Sequence, residues 1–160
     1  MPCYTKKGLV GMHLGDSGYA LYHVIPMGKS FAIQQYFKSE PMNVSFDTSK
    51  RFGPDGNTTV GRLKEINHTE ALDGDIIMLY TDGFSDNVFE EDWDSCIADG
   101  INQFTGKPIS LSEIADCQAR KAYINMEKPM STPFSKESIA AKKPKQFGNI
   151  DDISVTIALF

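Results

Sequence analysis

Two short acidic motifs in the sequence could bind a divalent metal ion. The first acidic motif is residues 79–87 and carries Asp82 in a Thr-Asp-Gly turn, and the second acidic motif is residues 148–155 and carries Asp151. Each carboxylate stands beside an apolar, strand-like run, where a rigid sheet can hold a ligand in place. Neither motif contains His or Cys, which argues against zinc, and ligand sets made only of oxygen favour Mg²⁺ or Mn²⁺.

A pair of such metal ions could activate a water molecule for in-line attack on a phosphoryl group, without a nucleophile from the protein. This chemistry requires the strand before Asp82 and the strand after Asp151 to be antiparallel neighbours, because both carboxylates then reach the same end of the sheet. Carboxylates that share one cation should lie within about 4–6 Å of each other. The alternative is a pair of Asx-type turns with solvated carboxylates, and spacing alone favours that alternative.

Apolar runs and turn signals predict the elements that would position these acids. Predicted strands cover residues 8–14, 19–25, 31–37, 44–46, 76–80 and 153–160. The first two should form an antiparallel hairpin, because only a turn of small and polar residues separates them. Helices are predicted over 86–101, from Ser110 or Ser112 to Tyr123, and within 136–145, with a long surface loop over 38–62. The pattern predicts an α+β fold, mostly antiparallel, with the helices between two strand regions.

Length and charge narrow the possible partners. The chain has 160 residues, enough for a single domain over 1–160, and a net charge of −5 that gives no electrostatic footprint for nucleic acid or an anionic membrane. No apolar run approaches the roughly 20 residues that cross a bilayer, and the first residues lack the apolar core of a secretory signal. We therefore expect an intracellular protein without a nucleic-acid or membrane partner.

The cysteines give no pattern of a known site. Cys3, Cys96 and Cys117 are odd in number, far apart and without a Cys-x-x-Cys pair. We therefore expect neither a disulfide framework nor a zinc site. Cys117 falls in a predicted helix, where a buried thiol is expected rather than a reactive one.

Three segments together resemble the metal-dependent serine/threonine phosphatases of type 2C. They are Gly15-Asp16-Ser17, Thr81-Asp82-Gly83 and Gly148-Asn149-Ile150-Asp151-Asp152. The first segment continues as Gly-Asp-Ser-Gly and the last segment ends in Asp-Asp. Both features are similar to the sequences of the subgroup associated with mitochondria and plastids, so we expect that a mitochondrial location is possible for this chain. The likeness runs from about Gly8 to Phe160 and concerns the C-terminal portion of the family's domain.

The resemblance implies a fold, a reaction and a set of site residues. The family fold is an α-β-β-α sandwich of antiparallel sheets, and its reaction is hydrolysis of phosphoserine or phosphothreonine in a phosphoprotein by a water bound to two Mg²⁺ or Mn²⁺ ions. Asp82 and Asp151 would be metal ligands, and Gly83 would let the backbone pass close to the metals. Asp16 would hold a weaker third metal, or serve only as an acidic turn. Asp86 stands where the family has an Asp after the Thr-Asp-Gly turn, but the role that we expect for it here is to cap a helix N-terminus.

The departures from the family imply an incomplete site. The N-terminal half of the family's domain supplies an acidic ligand, a phosphate-binding basic residue and the Asp that bridges both metals, and only 15 residues precede Asp16. The resemblance therefore assigns no catalytic residue to this chain, and we expect weak metal binding and little activity from it alone. A non-catalytic binding module of the same fold and an unrelated α+β domain remain alternatives.

A partial domain would also expose surface. We expect self-association through unpaired strand edges and an apolar face that includes Val10, Met12, Leu21 and Ile77.

Overall fold

The strands of the protein build two main antiparallel sheets and a short hairpin. The computed structural model describes residues 2–5, 8–46, 48–49, 64–128, 130–144 and 147–160, so much of the predicted loop over 38–62 lies outside the described residues. The strands are β1 (Pro2–Thr5), β2 (Gly8–His13), β3 (Gly18–Met27), β4 (Ser30–Lys38), β5 (Asn43–Ser45), β6 (Thr48–Ser49), β7 (Lys64–His68), β8 (Ile76–Tyr80) and β9 (Val155–Leu159). Sheet A has the order β1-β2-β7, sheet B has the order β4-β3-β8-β9, and β5 pairs with β6.

Strand β8 is central in sheet B and buried on both faces, as its uninterrupted apolar run predicts. Ile76 and Met78 pack with the core on the helical side of the sheet, whereas Ile77 packs with the core that it shares with Leu9 of sheet A. Strand β3 alternates in the same way, because Tyr22 faces the helices and Leu21 faces sheet A. The result is a layer order of sheet A, sheet B and helices. The fold class predicted from the sequence, with antiparallel sheets, is confirmed.

The predicted hairpin between residues 8–14 and 19–25 is wrong, although both strands exist. Strand β2 pairs with β1 and β7 in sheet A, whereas β3 pairs with β4 and β8 in sheet B. The turn after His13 therefore carries the chain from one sheet to the other, with Gly15 at a φ of 98° that favours glycine. A short polar turn between two alternating runs is compatible with either connection, so the sequence pattern could not distinguish them.

The helices lie between β8 and β9, as predicted, but the first long one begins later than expected. They are α1 (Asp82–Ser85), a 3₁₀ turn (Glu90–Asp92), α2 (Trp93–Asp99), α3 (Leu111–Glu127) and α4 (Pro133–Ala140). Phe89 has an extended backbone that interrupts the helical pattern predicted from residue 86. Ser110 caps α3 by accepting a hydrogen bond from the backbone N–H of Glu113 at 3.2 Å, which confirms the predicted start.

A disulfide joins α2 to α3, contrary to the expectation that the cysteines remain unpaired. Cys96 and Cys117 are bonded, with their Cα atoms 5.9 Å apart and a separation of 21 positions in sequence. The two helices pack side by side on sheet B, and this packing places the two thiols together. The interpretation of Cys117 as a free buried thiol is therefore wrong. The two cysteines are so far apart in sequence that no local pattern could predict their pairing.

The predicted apolar face is only partly exposed. Leu21 and Ile77 are buried, with 1% and 7% of their surface accessible, because sheet A covers that face of sheet B. Met12, on the outer face of sheet A, is 44% exposed and fits the prediction. Strand β8 is also not an edge, since β3 and β9 flank it. None of the helices in the described part of the chain has the length and apolar character needed to span a membrane.

Candidate functional site

The two acidic motifs meet at one end of sheet B. Strands β8 and β9 are antiparallel neighbours with Tyr80 opposite Val155, which confirms the pairing that the site requires. Just beyond the last pair, Thr81 extends the contact with three hydrogen bonds. Its N–H donates to the carbonyl of Ser154 at 3.1 Å, and its Oγ1 donates to the carbonyl of Asp152 at 2.8 Å and accepts from the N–H of Ser154 at 2.9 Å.

Gly83 permits a close approach between the two motifs. A Cβ atom at this position would lie 2.6 Å from the carbonyl oxygen of Asp152 and 3.4 Å from the carbonyl carbon of Asp151. The first distance is shorter than real Cβ contacts, so a side chain here would push the motifs apart. The close approach predicted for Gly83 from the family resemblance is thus made, in this structure, to the backbone of the second acidic motif.

A fully buried amide, Asn87, joins the motifs from the side of the helices. Its Nδ2 donates to the carbonyl of Gly83 at 2.9 Å and to the carbonyl of Asn149 at 2.8 Å, and its Oδ1 accepts from the N–H of Asn149 at 3.1 Å. The carbonyl of Asn87 accepts from the side chain of Asn125 in α3 at 2.9 Å. Asn87 has no accessible surface, and no motif in the sequence pointed to this role.

Asp86 does not cap a helix N-terminus, which corrects the prediction. It follows the last residue of α1 with a helical backbone, and its Oδ2 accepts a hydrogen bond from Nδ2 of Asn149 at 2.8 Å. Its backbone carbonyl accepts from the N–H of Phe134 at the start of α4. Asp86 therefore connects α1 with the second acidic motif and with α4.

The carboxylates of Asp16, Asp82 and Asp151 are each held by their own turn. Asp16 and Asp82 are half-buried and Asp151 is exposed. In each residue Oδ1 accepts a hydrogen bond from the next backbone N–H, at 3.1 Å for Asp16, 3.0 Å for Asp82 and 2.7 Å for Asp151. These bonds come from the next residue and not from the N–H two residues on that an Asx turn uses, and they fix one oxygen of each carboxylate before any ligand is considered.

The carboxyl of Asp82 has a perturbed pKa, unlike that of an aspartate in a solvated turn. Burial raises the pKa of its carboxyl, and the charges of Asp16 and Asp151 raise it further, while the hydrogen bond from the N–H of Gly83 lowers it in part. Within the described part of the chain, none of these three carboxylates forms an ion pair with Lys, Arg or His. The end of sheet B therefore carries negative charge that no described cationic side chain compensates.

Beside Asp82 lies an acidic cleft of about 310 Å³. The carboxylates on its lining are those of Asp16, Asp82, Asp86, Glu90, Glu91 and Glu137. Lys38 also lines the cleft, and its Nζ lies 2.5 Å from Oε2 of Glu90, so its charge is already paired. Glu137, on α4, was not among the residues predicted from the sequence.

The side chains of this region offer oxygen ligands, which are the type that a hard cation prefers. However, no group of three or more His, Cys, Asp or Glu close enough to share a metal ion occurs in the described ranges. A cation here would be held by one or two carboxylates and would complete its coordination with water, which is the usual mode for Mg²⁺. The roles of Asp16, Asp82 and Asp151 as metal ligands stay predictions.

Known proteins are similar to this chain in sequence and in fold. No family model matches the chain. The chain is 30% identical over 158 residues to probable protein phosphatase 2C 71 of Oryza sativa subsp. japonica, which covers 98% of the chain and 31% of that protein. It is 22% identical over 152 residues to probable protein phosphatase 2C 80 of Arabidopsis thaliana, covering 95% of the chain and 34% of that protein. The chain thus spans about a third of the length of the curated relatives it matches.

A solved structure shows the same arrangement of elements. The X-ray structure of the photosystem II phosphatase PBCP superposes with a TM-score of 0.74 at 22% identity, over 99% of this chain and 62% of that chain. The fold is therefore part of the antiparallel phosphatase sandwich. The chain thus resembles protein phosphatases of type 2C in sequence and in fold.

Proposed function

We propose that this chain is part of a metal-dependent protein serine/threonine phosphatase and contributes Asp82, Asp151 and Asp16 to its Mg²⁺ or Mn²⁺ site. The observation that carries the proposal is the antiparallel pairing of β8 with β9, which brings the two acidic motifs to one end of sheet B. The charges of Asp16 and Asp151 both raise the pKa of Asp82, which supports a site that these three carboxylates share.

The acidic cleft explains why such a site would need a cation. Six carboxylates and one paired lysine line it, so a phosphoryl group would be repelled by the protein alone. Bound metal ions would supply positive charge and a water molecule of lowered pKa. The side chains of this chain would hold the ions, while sheet pairing and the bonds of Thr81 would keep the carboxylates in register.

The chain by itself is expected to turn over phosphopeptides slowly or not at all. Two-metal catalysis requires both ions to be held, and the described residues offer no cluster of three or more metal-binding side chains. The same observation favours a second candidate, a non-catalytic binding module of the phosphatase fold. Phosphoprotein substrates and a mitochondrial or other intracellular location are part of the proposal and rest on the family resemblance.

Mn²⁺ binding tests the proposal directly. Isothermal titration of the chain with Mn²⁺ should show weak binding that Asp82→Asn abolishes. Asp73→Asn is the matched control, because Asp73 is an exposed aspartate in the turn that precedes the opposite end of β8, and it should leave binding unchanged. Equal Mn²⁺ affinity in the Asp82→Asn variant would contradict the proposed site, and phosphopeptide binding that needs no Mn²⁺ would favour the binding module.

A further inference from the structure

Asn87, which is fully buried, and the half-buried Asn149 and Asp86 form a link between the two acidic motifs, which we call the amide brace. Asn87 bonds to the backbone of Gly83, the residue after Asp82, and Asn149 lies two residues before Asp151. The side chain of Asn149 in turn donates to Asp86. Thr81 precedes α1 and Asn87 follows it, so the first motif is attached to the second at two separate places.

The chemistry of the brace requires an amide at position 87. The contacts need two N–H donors for the carbonyls of Gly83 and Asn149 and one acceptor for the N–H of Asn149, which only Asn or Gln can supply together. Oδ1 of Asn87 also lies against Gly148, where a Cβ atom would be only 2.6 Å from that oxygen. An apolar side chain would leave these buried backbone groups without partners, at a cost of about 1–3 kcal/mol for each.

The brace also opposes the repulsion between the acids that it joins. Asp82 and Asp151 stand in the two motifs that the brace joins, and like charges separate unless other contacts hold them. Asn87 and Asn149 are neutral, so they resist this separation without compensating the charge that a cation would bind. Groups that orient metal ligands in this way usually change metal affinity by about 10–100-fold when they are mutated.

We propose that Asn87 is a positioning residue that fixes the two acidic motifs against each other and thereby sets the affinity of the metal site, an inference that rests on the proposed function. It touches neither the metal nor the substrate, and it acts through the backbones of Gly83 and Asn149. A residue with a merely structural role would change stability without changing metal affinity at temperatures where the chain is folded.

The experiment compares Asn87→Ala and Asn87→Asp with Gln118→Ala in the full chain. Gln118 is the matched control, because it is also a fully buried amide, but it donates to the carbonyl of Trp93 and not to either acidic motif. Asn87→Asp keeps the size of the side chain and one acceptor and loses the donors, so it serves if the alanine variant does not fold. Its added charge would by itself attract Mn²⁺, so weaker binding can only reflect displaced ligands.

Two measurements are made on each folded variant, Mn²⁺ affinity by titration and hydrogen exchange of the backbone N–H groups of residues 149–152 without metal. Both Asn87 variants should bind Mn²⁺ at least about tenfold more weakly than the wild type, and these amides should exchange at least about tenfold faster. Gln118→Ala should match the wild type in Mn²⁺ affinity, and in exchange rate after correction for its change in global stability. Asn87 variants that behave like Gln118→Ala overturn the inference.

The hydrogen-exchange measurement separates this inference from the proposed function. If the wild-type chain does not bind Mn²⁺, the proposed metal site fails, and exchange alone then decides whether Asn87 positions the motifs. If the wild type binds Mn²⁺ and the Asn87 variants bind equally well, the metal site stands and the positioning role is wrong.

Discussion

Replacement of Gly83 by alanine is the most direct perturbation of the contact between the acidic motifs. The added Cβ would lie 2.6 Å from the carbonyl oxygen and 3.0 Å from the carbonyl carbon of Asp152, and both are backbone atoms that cannot rotate away. Ordinary contact begins at about 3.4 Å, so the second motif would have to move by several tenths of an ångström. The hydrogen bonds of Asn87 and Thr81 oppose that movement.

The expected cost can be worked from three terms. Overpacking of a tight contact costs about 1–3 kcal/mol, and weakening of the bond from Asn87 to the carbonyl of Gly83 costs about 1 kcal/mol. Alanine is favoured over glycine by about 1 kcal/mol in a helix, and Gly83 lies in α1. The Gly83→Ala variant should therefore lose about 1–3 kcal/mol, which is a fall of roughly 2–12 °C in melting temperature for a chain of this size.

Thermal melting and Mn²⁺ titration of the same samples test this reasoning. Gly28→Ala is the control, because Gly28 has a φ of 68° and nothing within 4 Å of its Cβ position. That variant should lose stability through backbone strain but retain Mn²⁺ affinity, whereas Gly83→Ala should lose both. A Gly83→Ala chain that melts and binds Mn²⁺ like the wild type would refute the close approach of the two motifs.

Asp82, His68 and the Cys96–Cys117 disulfide give three further expectations. Asp82→Asn should stabilise the metal-free chain at pH 7, because burial and neighbouring carboxylates disfavour the charged form of Asp82. The free energy of unfolding should rise by less than about 1 kcal/mol after solvent screening, and a lower melting temperature would contradict this. Burial lowers the pKa of His68, so at acidic pH the unfolded chain binds more protons than the folded chain. The free energy of unfolding should therefore be at its full value above about pH 6.5 and should fall as the pH drops below that value. Melts at pH 7.5 and 5.5 should show a smaller difference for His68→Gln, and an equal difference would argue against this assignment. Reduction of the disulfide, whose cysteines are 21 positions apart, should lower the free energy of unfolding by about 3 kcal/mol through loop-closure entropy. A melting temperature that does not respond to reductant would rule this out. The Cys96→Ser, Cys117→Ser double variant is the control, since reductant should not affect it.

The sequence could predict the elements that carry the acids because their apolar patterns are local. The run over 76–80 is flanked by Gly and Asp, and the run that ends the chain is β-branched, so both read as strands before their pairing is known. Strand β7, Lys64–His68, was missed because its sequence Lys-Glu-Ile-Asn-His carries charged residues, as is common in a strand at a sheet edge.

Contacts between distant segments could not be predicted in the same way. The assignment of β2 and β3 to different sheets depends on which strands they pair with, and both connections use the same kind of turn. The Cys96–Cys117 disulfide depends on the packing of two helices. Asn87 lay within the first acidic motif, but its role depends on Asn149, which is 62 residues away. A buried amide with such partners leaves no periodic signal in the sequence.

The structure at the end of sheet B supports a functional role for the aspartates, because it holds like-charged carboxylates near one another against their mutual repulsion. Two ordinary Asx turns would be free to separate their carboxylates into solvent. Here the pKa of Asp82 is raised by burial and by two like charges, while sheet pairing and the neutral amide of Asn87 keep the motifs together. Perturbed carboxyl groups of this kind cluster at functional sites. A cation would remove the repulsion and would be most effective where these hydrogen bonds already hold the ligands.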